Sequence, residues 1–299
     1  MLTAAHCIER MVVGDTVLVG PTATRTVKHF AQDPRLTEQI DAGRSRDSVL
    51  PYDVAILQLD APVTDVAPIR LAQPADAPLY AAGAPVTTVG YGSIDRQGNG
   101  ADVLRFAEVQ ARSDAECTTL LAPLGAATTF VGATMICTTD PDGAPPYRSA
   151  CYGDSGSPLV ATAPDGTLVQ VGVDDWGVAC GFRNGDPENY VEVPTIATFA
   201  LSPAPVLRPE ARARPKLTGT PRVGRTLRCS KGRFRSPQPA RVRRAFYVIT
   251  GSSSRIVASG TGSYRIPRSL RGRRLSCLSI ASSTGGELVV TAATTKRAR

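Results

Sequence analysis

Short runs of alternating hydrophobic and polar residues dominate the first part of the chain. Residues 12–19 and 24–30 alternate in this way, and a period of two is typical of a strand with one buried face. Residues 53–59 instead form a nearly continuous apolar run that begins with a carboxylate, which predicts a buried strand. Further strands are predicted over 85–91, 103–112, 159–162, 168–173 and 190–193. The chain is therefore expected to be an all-β protein.

Few segments depart from this pattern. Residues 195–201 and part of 117–137 predict short helices. Residues 31–51 are polar and contain proline and glycine, which predicts a surface loop. The sequence PDG at 164–166 is a good turn and predicts a hairpin between two of the strands.

A change in composition divides the chain. Residues 202–215 are rich in proline and predict an extended linker. Beyond it, residues 216–299 show short alternating runs separated by glycine turns. We therefore expect one domain over 1–201 and a second, smaller domain over 216–299.

Charge follows the same division. The net charge is +8, but residues 1–204 carry 12 Lys and Arg against 24 Asp and Glu, whereas residues 205–299 carry 22 against 2. So basic a segment predicts an anionic partner. An anionic cell-envelope polymer, or the acidic first part itself, is favoured over nucleic acid, because few aromatic residues lie among the arginines and no reader motif is present.

Candidate chemistry centres on the sequence CYGDSGSPL at 151–159. A serine between two glycines can project its hydroxyl from a tight turn, and the N–H groups of Gly153 and Ser155 could together form an oxyanion hole. A glycine-rich turn without chemistry is the alternative interpretation. A serine nucleophile needs a base, and the chain has two histidines, His6 and His29.

Three motifs give the chain a resemblance to a known family. TAAHC at 3–7, DVAILQL at 53–59 and GDSGSP at 153–158 occur in the order His, Asp, Ser. The region 1–201 resembles the chymotrypsin/trypsin family of serine endopeptidases. The resemblance implies two antiparallel six-stranded β-barrels. Family members carry several strands before the histidine, so the first barrel is expected to be incomplete here. Either the start codon is set too far downstream or the chain is a fragment.

The resemblance also implies a catalytic triad of His6, Asp53 and Ser155, with the oxyanion held by the N–H groups of Gly153 and Ser155. Such a site hydrolyses peptide bonds of protein or peptide substrates through an acyl-enzyme and needs neither a metal nor an organic cofactor. A monomer is expected.

The substrate pocket is expected below the nucleophile, lined by Ser149, Trp176, Gly177 and Glu188. Ser149 stands where trypsin-like enzymes have an aspartate, and a neutral floor favours apolar or aromatic side chains at the cleavage site. Glu188 has two interpretations: it supplies a negative charge to the pocket, or it is a solvated loop carboxylate after Pro187.

The seven cysteines indicate disulfides. In the family, the positions of Cys117 and Cys137 are joined, as are those of Cys151 and Cys180. Cys229 and Cys277 are expected to pair within the second domain. The family partner of Cys7 lies upstream of the sequence. Disulfides predict an oxidising compartment and a secreted, bacterial-type protein, although the sequence contains no signal peptide.

The second domain carries a weaker resemblance. Its opening sequence, GTPRVGRTLRC at 219–229, is similar to that of Ig-like β-sandwich modules appended to secreted bacterial proteins. The tryptophan that such modules often carry between their cysteines is missing. An Ig-like β-sandwich over 216–299 is the resulting expectation.

Two departures from the protease family leave an alternative open. Asp175 stands where the family usually has serine before Trp-Gly, and a second carboxylate near Asp53 would weaken its support of a cationic His6. Asp154 in the family pairs with an α-amine released by activation cleavage, which this sequence does not encode. We therefore expect the chain as given to be weakly active or inactive. The alternative function is a catalytically inactive protease homologue that acts as a binding protein.

Overall fold

The computed structural model describes residues 1–9, 11–20, 23–41, 51–95, 97–124, 130–178, 180, 185–202, 204–251 and 253–299. The chain forms two compact units, one made of Met1–Ile8 and Thr16–Pro205 and the other of Glu9–Asp15 and Val206–Arg299. No helix in the described ranges is long and apolar enough to cross a membrane.

The first sheet is a half-barrel. Its strands are β1 (Leu2–Thr3), β2 (Thr16–Val19), β3 (Ala23–Gln32) and β4 (Ala55–Leu59), in the order β1-β4-β3-β2. β1 and β4 are antiparallel, with Thr3 opposite Ala55. The residues that follow β1 therefore lie beside those that precede β4, which brings His6 next to Asp53.

The predicted surface loop over 31–51 is wrong in its first part. β3 continues to Gln32, and α1 (Pro34–Asp41) follows it. The Asp33 carboxylate accepts the N–H of Arg35 at 3.0 Å, and Pro34 occupies the start of the helix, where its missing N–H costs no hydrogen bond. The proline is thus a helix-start signal. Residues 42–50 of this loop lie outside the described residues.

The second sheet contains a closed barrel. Its strands are β5 (Arg70–Leu71), β6 (Pro85–Gly90), β7 (Arg105–Ala111), β8 (Met135–Thr139), β9 (Pro158–Thr162), β10 (Leu168–Gly177) and β11 (Glu188–Glu192). The order is β11-β8-β7-β6-β9-β10-β5, and an additional pairing of β11 with β10 closes six of the strands. A six-stranded barrel beside a half-barrel confirms the predicted double-barrel fold.

Two helices accompany the barrel, α2 (Asp114–Leu121) and α3 (Val193–Ala200), close to the two predicted places. A capping box formed by Ser113 and Glu116 begins α2. The barrel core packs Leu159, Val171 and Tyr190 from three successive strands, all fully buried. This core supports the loop before β9 and the end of β10, where the candidate site residues lie.

The remaining strands belong to the second unit. They are β12 (Glu210–Ala213), β13 (Leu217–Thr218), β14 (Thr226–Cys229), β15 (Arg233–Arg235), β16 (Arg241–Thr250), β17 (Ser253–Ser259), β18 (Ser263–Arg265), β19 (Arg274–Ser283), β20 (Gly286–Thr291) and β21 (Lys296–Arg297). They form a pair (β12-β15), a three-stranded sheet (β13-β14-β18) and a five-stranded sheet (β17-β16-β19-β20, with β21 on β19). β12 falls within the predicted linker.

A disulfide joins two of these sheets. Cys229 in β14 is bonded to Cys277 in β19, and both are buried in the core of the unit. Phe246 of β16 stacks on Tyr264 of β18 in the same core, with ring centroids 5.5 Å apart. The second unit is thus an antiparallel β structure with a core and a disulfide of its own.

Candidate active site

His6 and Asp53 make two hydrogen bonds to each other. The backbone N–H of His6 donates to Oδ1 of Asp53 at 2.9 Å, and Nδ1 of the ring lies 2.8 Å from Oδ2. The N–H of Ala5 donates to the Asp53 carbonyl at 3.2 Å and holds the two segments together. Nε2 is thus the ring nitrogen left for exchange of a proton with a third group.

Opposing effects act on the His6 ring. Burial disfavours the protonated ring, whereas the hydrogen bond and negative charge of Asp53, with a smaller contribution from Cys7, favour it. The second effect is larger, and the pKa of His6 lies above its usual value. The pair is therefore arranged to stabilise an imidazolium ion.

The Ser155 loop lies against the His6 segment. Gly153 and Gly156 have φ values of +96° and +84°, which side chains rarely adopt. A Cβ on Gly156 would overlap the side chain of Thr3, and Sγ of Cys7 donates to the Ser155 carbonyl at 3.3 Å. Glycine is therefore required for the close approach of the loop to the strand that leads to His6.

Two backbone N–H groups of the Ser155 loop are the candidate oxyanion donors. Within the described part of the chain, the N–H groups of Gly153 and Ser155 donate to no protein acceptor, whereas the N–H of Gly156 donates to the Asp174 carbonyl at 2.8 Å. Two N–H groups in one tight turn, both without a partner, remain available to bind a substrate oxygen.

Backbone N–H groups hold the side chain of Asp154. Its Oδ1 accepts the N–H of Gly92 at 2.7 Å, and Oδ2 accepts that of Cys151 at 2.9 Å. A Cβ on either Gly90 or Gly92 would overlap this carboxylate. Because both oxygens are bonded, these contacts fix the loop that carries Ser155. A disulfide between Cys151 and Cys180 and another between Cys117 and Cys137 also lie in this unit.

A second carboxyl group lies beside the His6–Asp53 pair. One side-chain nitrogen or oxygen atom from each of His6, Asp53 and Asp175 lies within 4.8 Å of the others. Asp175 is only 9% exposed, and its Oδ2 has no hydrogen-bond donor in the described residues. Burial, followed by the negative charge of Asp53, raises the pKa of Asp175 well above its usual range.

The predicted pocket residues meet around Glu188. Its carboxylate accepts the Ser149 hydroxyl at 3.4 Å and occupies the space that a side chain on Gly177 would fill. Glu188 is 5% exposed and belongs to β11, so its interpretation as a solvated loop carboxylate is wrong. Trp176 is half-buried directly before Gly177, and its carbonyl accepts the side-chain N–H of Asn189 at 3.2 Å.

Sequence reasoning missed Asp174. This residue is 2% exposed and interacts with the carboxyl group of Glu188. Burial raises the pKa of Asp174 to about 7, and burial together with the charge of Asp174 raises that of Glu188. The signal was present in the sequence, because two consecutive aspartates in an otherwise apolar strand must place carboxyl groups on both faces.

Comparison with known proteins covers the same region of the chain. The family model for trypsin matches residues 1–200. Trypsin-1 of Astacus astacus is 36% identical over an alignment of 208 residues that covers 64% of this chain and 78% of that protein. Trypsin iota of Drosophila melanogaster is 32% identical over an alignment of 213 residues that covers 68% of this chain and 74% of that protein.

Other relatives are much longer than the matched region. The Suppressor of tumorigenicity 14 protein homolog of Bos taurus is 34% identical over 151 residues, which are 50% of this chain and 16% of that protein. The chain spans 33% of Ovochymase-2 of Mus musculus. These relatives are animal proteins and lend no support to the expectation of a bacterial source. With a matching family model over two thirds of its length and a double-barrel fold, the chain belongs to the trypsin family of serine proteases.

Proposed function

We propose that this chain is a serine endopeptidase in which Ser155 is the nucleophile, His6 the general base and Asp53 the residue that orients and stabilises His6. The paired hydrogen bonds between His6 and Asp53 carry the proposal, because they leave Nε2 of the ring for the serine proton. The unoccupied N–H groups of Gly153 and Ser155 support a role as the oxyanion hole.

Each step uses these side chains and water. His6 removes the Ser155 proton while Oγ attacks the peptide carbonyl, and the resulting oxyanion accepts the N–H groups of Gly153 and Ser155. Collapse of this intermediate breaks the C–N bond, and His6 returns the proton to the leaving amine. Water then attacks the acyl-enzyme with His6 again as base, which releases the acid and restores Ser155.

The substrate pocket of this enzyme is proposed to be formed by Ser149, Trp176, Gly177 and Glu188. Glu188 supports this most directly, since it lies beside Ser149 and over Gly177. Asp174 and Glu188 are buried together, and burial raises the pKa of both carboxyl groups, that of Asp174 to about 7. We expect the pocket to accept an apolar substrate side chain when Asp174 and Glu188 are protonated. A cationic substrate side chain is expected to bind when one of these carboxyl groups releases its proton.

The alternative function, a binding protein without catalysis, is favoured by one observation: Asp175 replaces the serine usual in the family. A fluorophosphonate probe on the purified full chain separates the two functions, with Ser155→Ala as the control. Labelling that requires Ser155 supports the enzyme. If the full chain does not react, the nucleophilic role of Ser155 is disproved and the alternative is favoured.

The second domain is proposed to bind an anionic cell-envelope polymer. The two acidic residues of the basic segment 205–299 already face arginines, with Glu210 3.1 Å from Arg212 and Glu287 2.6 Å from Arg243. A cavity of about 870 Å³ is lined by other arginines, namely Arg222, Arg268, Arg271 and Arg299. No acidic side chain in the described residues pairs with the first three of them. Because several positive charges line one cavity, a ligand that carries several negative charges is expected to bind there.

Lipoteichoic acid is a suitable probe for this second function. The full chain is expected to bind it at low salt and to release it as salt rises. A variant with Arg222, Arg268 and Arg271 changed to Gln is expected to bind weakly. A control with Arg233, Arg235 and Arg241 changed to Gln loses the same charge outside the cavity. Equal loss in both variants would disprove a specific site. We also propose that the protein is a secreted monomer, with domains over 1–201 and 216–299.

A further inference from the structure

Asp53 is close to a carboxyl group that the proposed mechanism does not use. Both Asp53 oxygens already accept hydrogen bonds from His6, one from the backbone and one from the ring. Asp175 approaches this arrangement from β10, with a side-chain oxygen within 4.8 Å of those of the pair. Among the described residues, the titratable groups that act most strongly on Asp175 are Asp53, His6 and Asp174, and Glu188 interacts in turn with Asp174. None of these groups is a lysine or an arginine.

Asp53 and Asp175 cannot both be ionised and both be paired with a positive charge. A protonated His6 supplies one positive charge, so a second buried negative charge would have no partner. Oδ2 of Asp175 is buried and has no donor in the described residues. A buried oxygen without a donor destabilises the ionised form of the carboxyl group. When the oxygen carries a proton, it can donate a hydrogen bond instead.

We propose that Asp175 is a positioning residue that keeps a proton and donates it to the Asp53 carboxylate. On the proposed serine protease function, on which this inference rests, the carboxylic acid does the work of the serine hydroxyl that the family usually has here. Asp53 then remains the single negative charge opposite His6. Burial and the charge of Asp53 both raise the pKa of Asp175, which agrees with a proton held at neutral pH.

This assignment reverses the expectation from the sequence that Asp175 weakens the support of His6. An ionised Asp175 would compete with Asp53 for the imidazolium ion and hold His6 in its protonated form. A neutral Asp175 adds a hydrogen bond to Asp53 and no charge. The two states of Asp175 therefore predict different effects of the same substitution on the titration of His6.

The test uses three variants of the full chain in EDTA-containing buffer. Asp175→Asn keeps the shape and an N–H donor, Asp175→Ser keeps a hydroxyl donor, and Asp175→Ala removes the donor. The chain has only two histidines, so histidine-labelled NMR with His29→Gln for assignment follows the His6 titration directly. Circular dichroism verifies folding, and the fluorophosphonate rate constant is measured on each variant.

A protonated Asp175 predicts that Asp175→Asn shifts the His6 pKa by less than ~0.5 unit, since no charge is removed. The Asn and Ser variants are expected to react within about threefold of the natural chain, and the Ala variant at least about tenfold more slowly. A fall of the His6 pKa by more than ~1 unit in Asp175→Asn would overturn the proposal, because a negative charge would have been removed. Full reactivity of the Ala variant would overturn it as well.

The titration remains decisive if the proposed function fails. A chain that does not react with fluorophosphonate disproves the catalytic role of Ser155, but the His6 pKa in Asp175→Asn still reports the charge of Asp175. Conversely, a reactive chain whose His6 pKa falls in that variant keeps the proposed function and loses the inference about Asp175.

Discussion

Asp53 accepts the backbone N–H of His6 with Oδ1 at 2.9 Å while its Oδ2 lies 2.8 Å from the His6 ring. One carboxylate therefore fixes both the main chain and the ring of the same histidine. The ring is held by the same carboxyl group that holds its backbone, so its orientation does not depend on the substrate. Several measurable consequences depend on this arrangement.

Replacing Asp53 with asparagine is expected to lower the fluorophosphonate rate constant by about 10²–10⁴, the contribution of a well-placed general base. The amide oxygen can accept only one of the two His6 hydrogen bonds with the same strength, and its N–H₂ group would face the other. The exposed Asp65→Asn serves as a matched control. A rate within threefold of the natural chain would show that Asp53 does not orient the base.

The reactivity of Ser155 should rise with pH beyond the range of an ordinary histidine. Only the neutral ring accepts a proton, and Asp53 raises the pKa of His6 above its usual 6.5. The fluorophosphonate rate constant, measured from acidic to alkaline pH, is expected to have its midpoint above that value. A midpoint at or below it would contradict the stabilisation of the imidazolium ion by Asp53.

The contribution of Asp174 to stability should fall as pH rises between the ordinary aspartate pKa of 3.8 and about 7. Over this range the folded protein holds the Asp174 proton while the unfolded chain releases it, so the folded state binds more protons and is destabilised by their removal. The urea midpoint at a series of pH values measures this slope. Asp174→Asn, which cannot titrate, is expected to flatten it, whereas the exposed Asp102→Asn should leave it unchanged.

Two variants of the proposed pocket should distinguish the effect of its carboxyl group from the effect of its volume on substrate binding. Glu188→Gln keeps the shape but removes a carboxyl group that can release its proton to a cationic ligand, so binding of benzamidine should weaken about tenfold or more while cleavage of substrates with apolar side chains persists. In Gly177→Ala the new Cβ would overlap the Glu188 carboxylate, so both substrate classes should suffer. Inhibition constants and rates for the two classes give the comparison. Unchanged benzamidine binding in Glu188→Gln would place the charge outside the pocket.

Loss of the Cys229–Cys277 disulfide should destabilise the second unit. The bond closes a loop with a sequence separation of 48 residues, and replacing both cysteines with alanine is expected to cost about 2–4 kcal/mol of unfolding free energy. Hydrogen exchange of the β16 and β19 amides reports this loss. Fluorescence of Trp176, the single tryptophan, reports the first unit and is expected not to change. Unaltered exchange in β19 would show that packing alone holds these sheets.

Local patterns were sufficient to predict the elements that bring His6, Asp53 and the Ser155 loop together. Each lies in a short motif whose residues contact one another through turns and strand pairing, so sequence neighbours carry the information. The helix at Pro34–Asp41 was missed because proline is common both in loops and at the first position of helices. Here the Asp33 side chain accepts the N–H of Arg35, which favours the start of a helix.

The charge state of the site could not be predicted in the same way. Glu188 follows a proline in a polar segment, which is typical of a loop, yet β8 and β10 on either side of β11 bury it. Asp174 and Asp175 are sequence neighbours, but Asp174 interacts with Glu188 and Asp175 with Asp53. Which carboxyl groups hold protons depends on these distant partners, and no local pattern records them.

The hydrogen bond from the N–H of Gly92 to Asp154 links the nucleophile loop to the turn after β6, 62 residues earlier in the chain. Gly90 and Gly92 contribute no side-chain group: Gly92 donates its backbone N–H, and both leave the space in which the carboxylate lies. A screen for inactive variants is therefore expected to find substitutions at these two glycines, although neither has a side chain that could take part in catalysis. The position of the nucleophile therefore depends on the sequence at two places: the serine loop itself, and the two glycines at the end of β6 and in the turn after it.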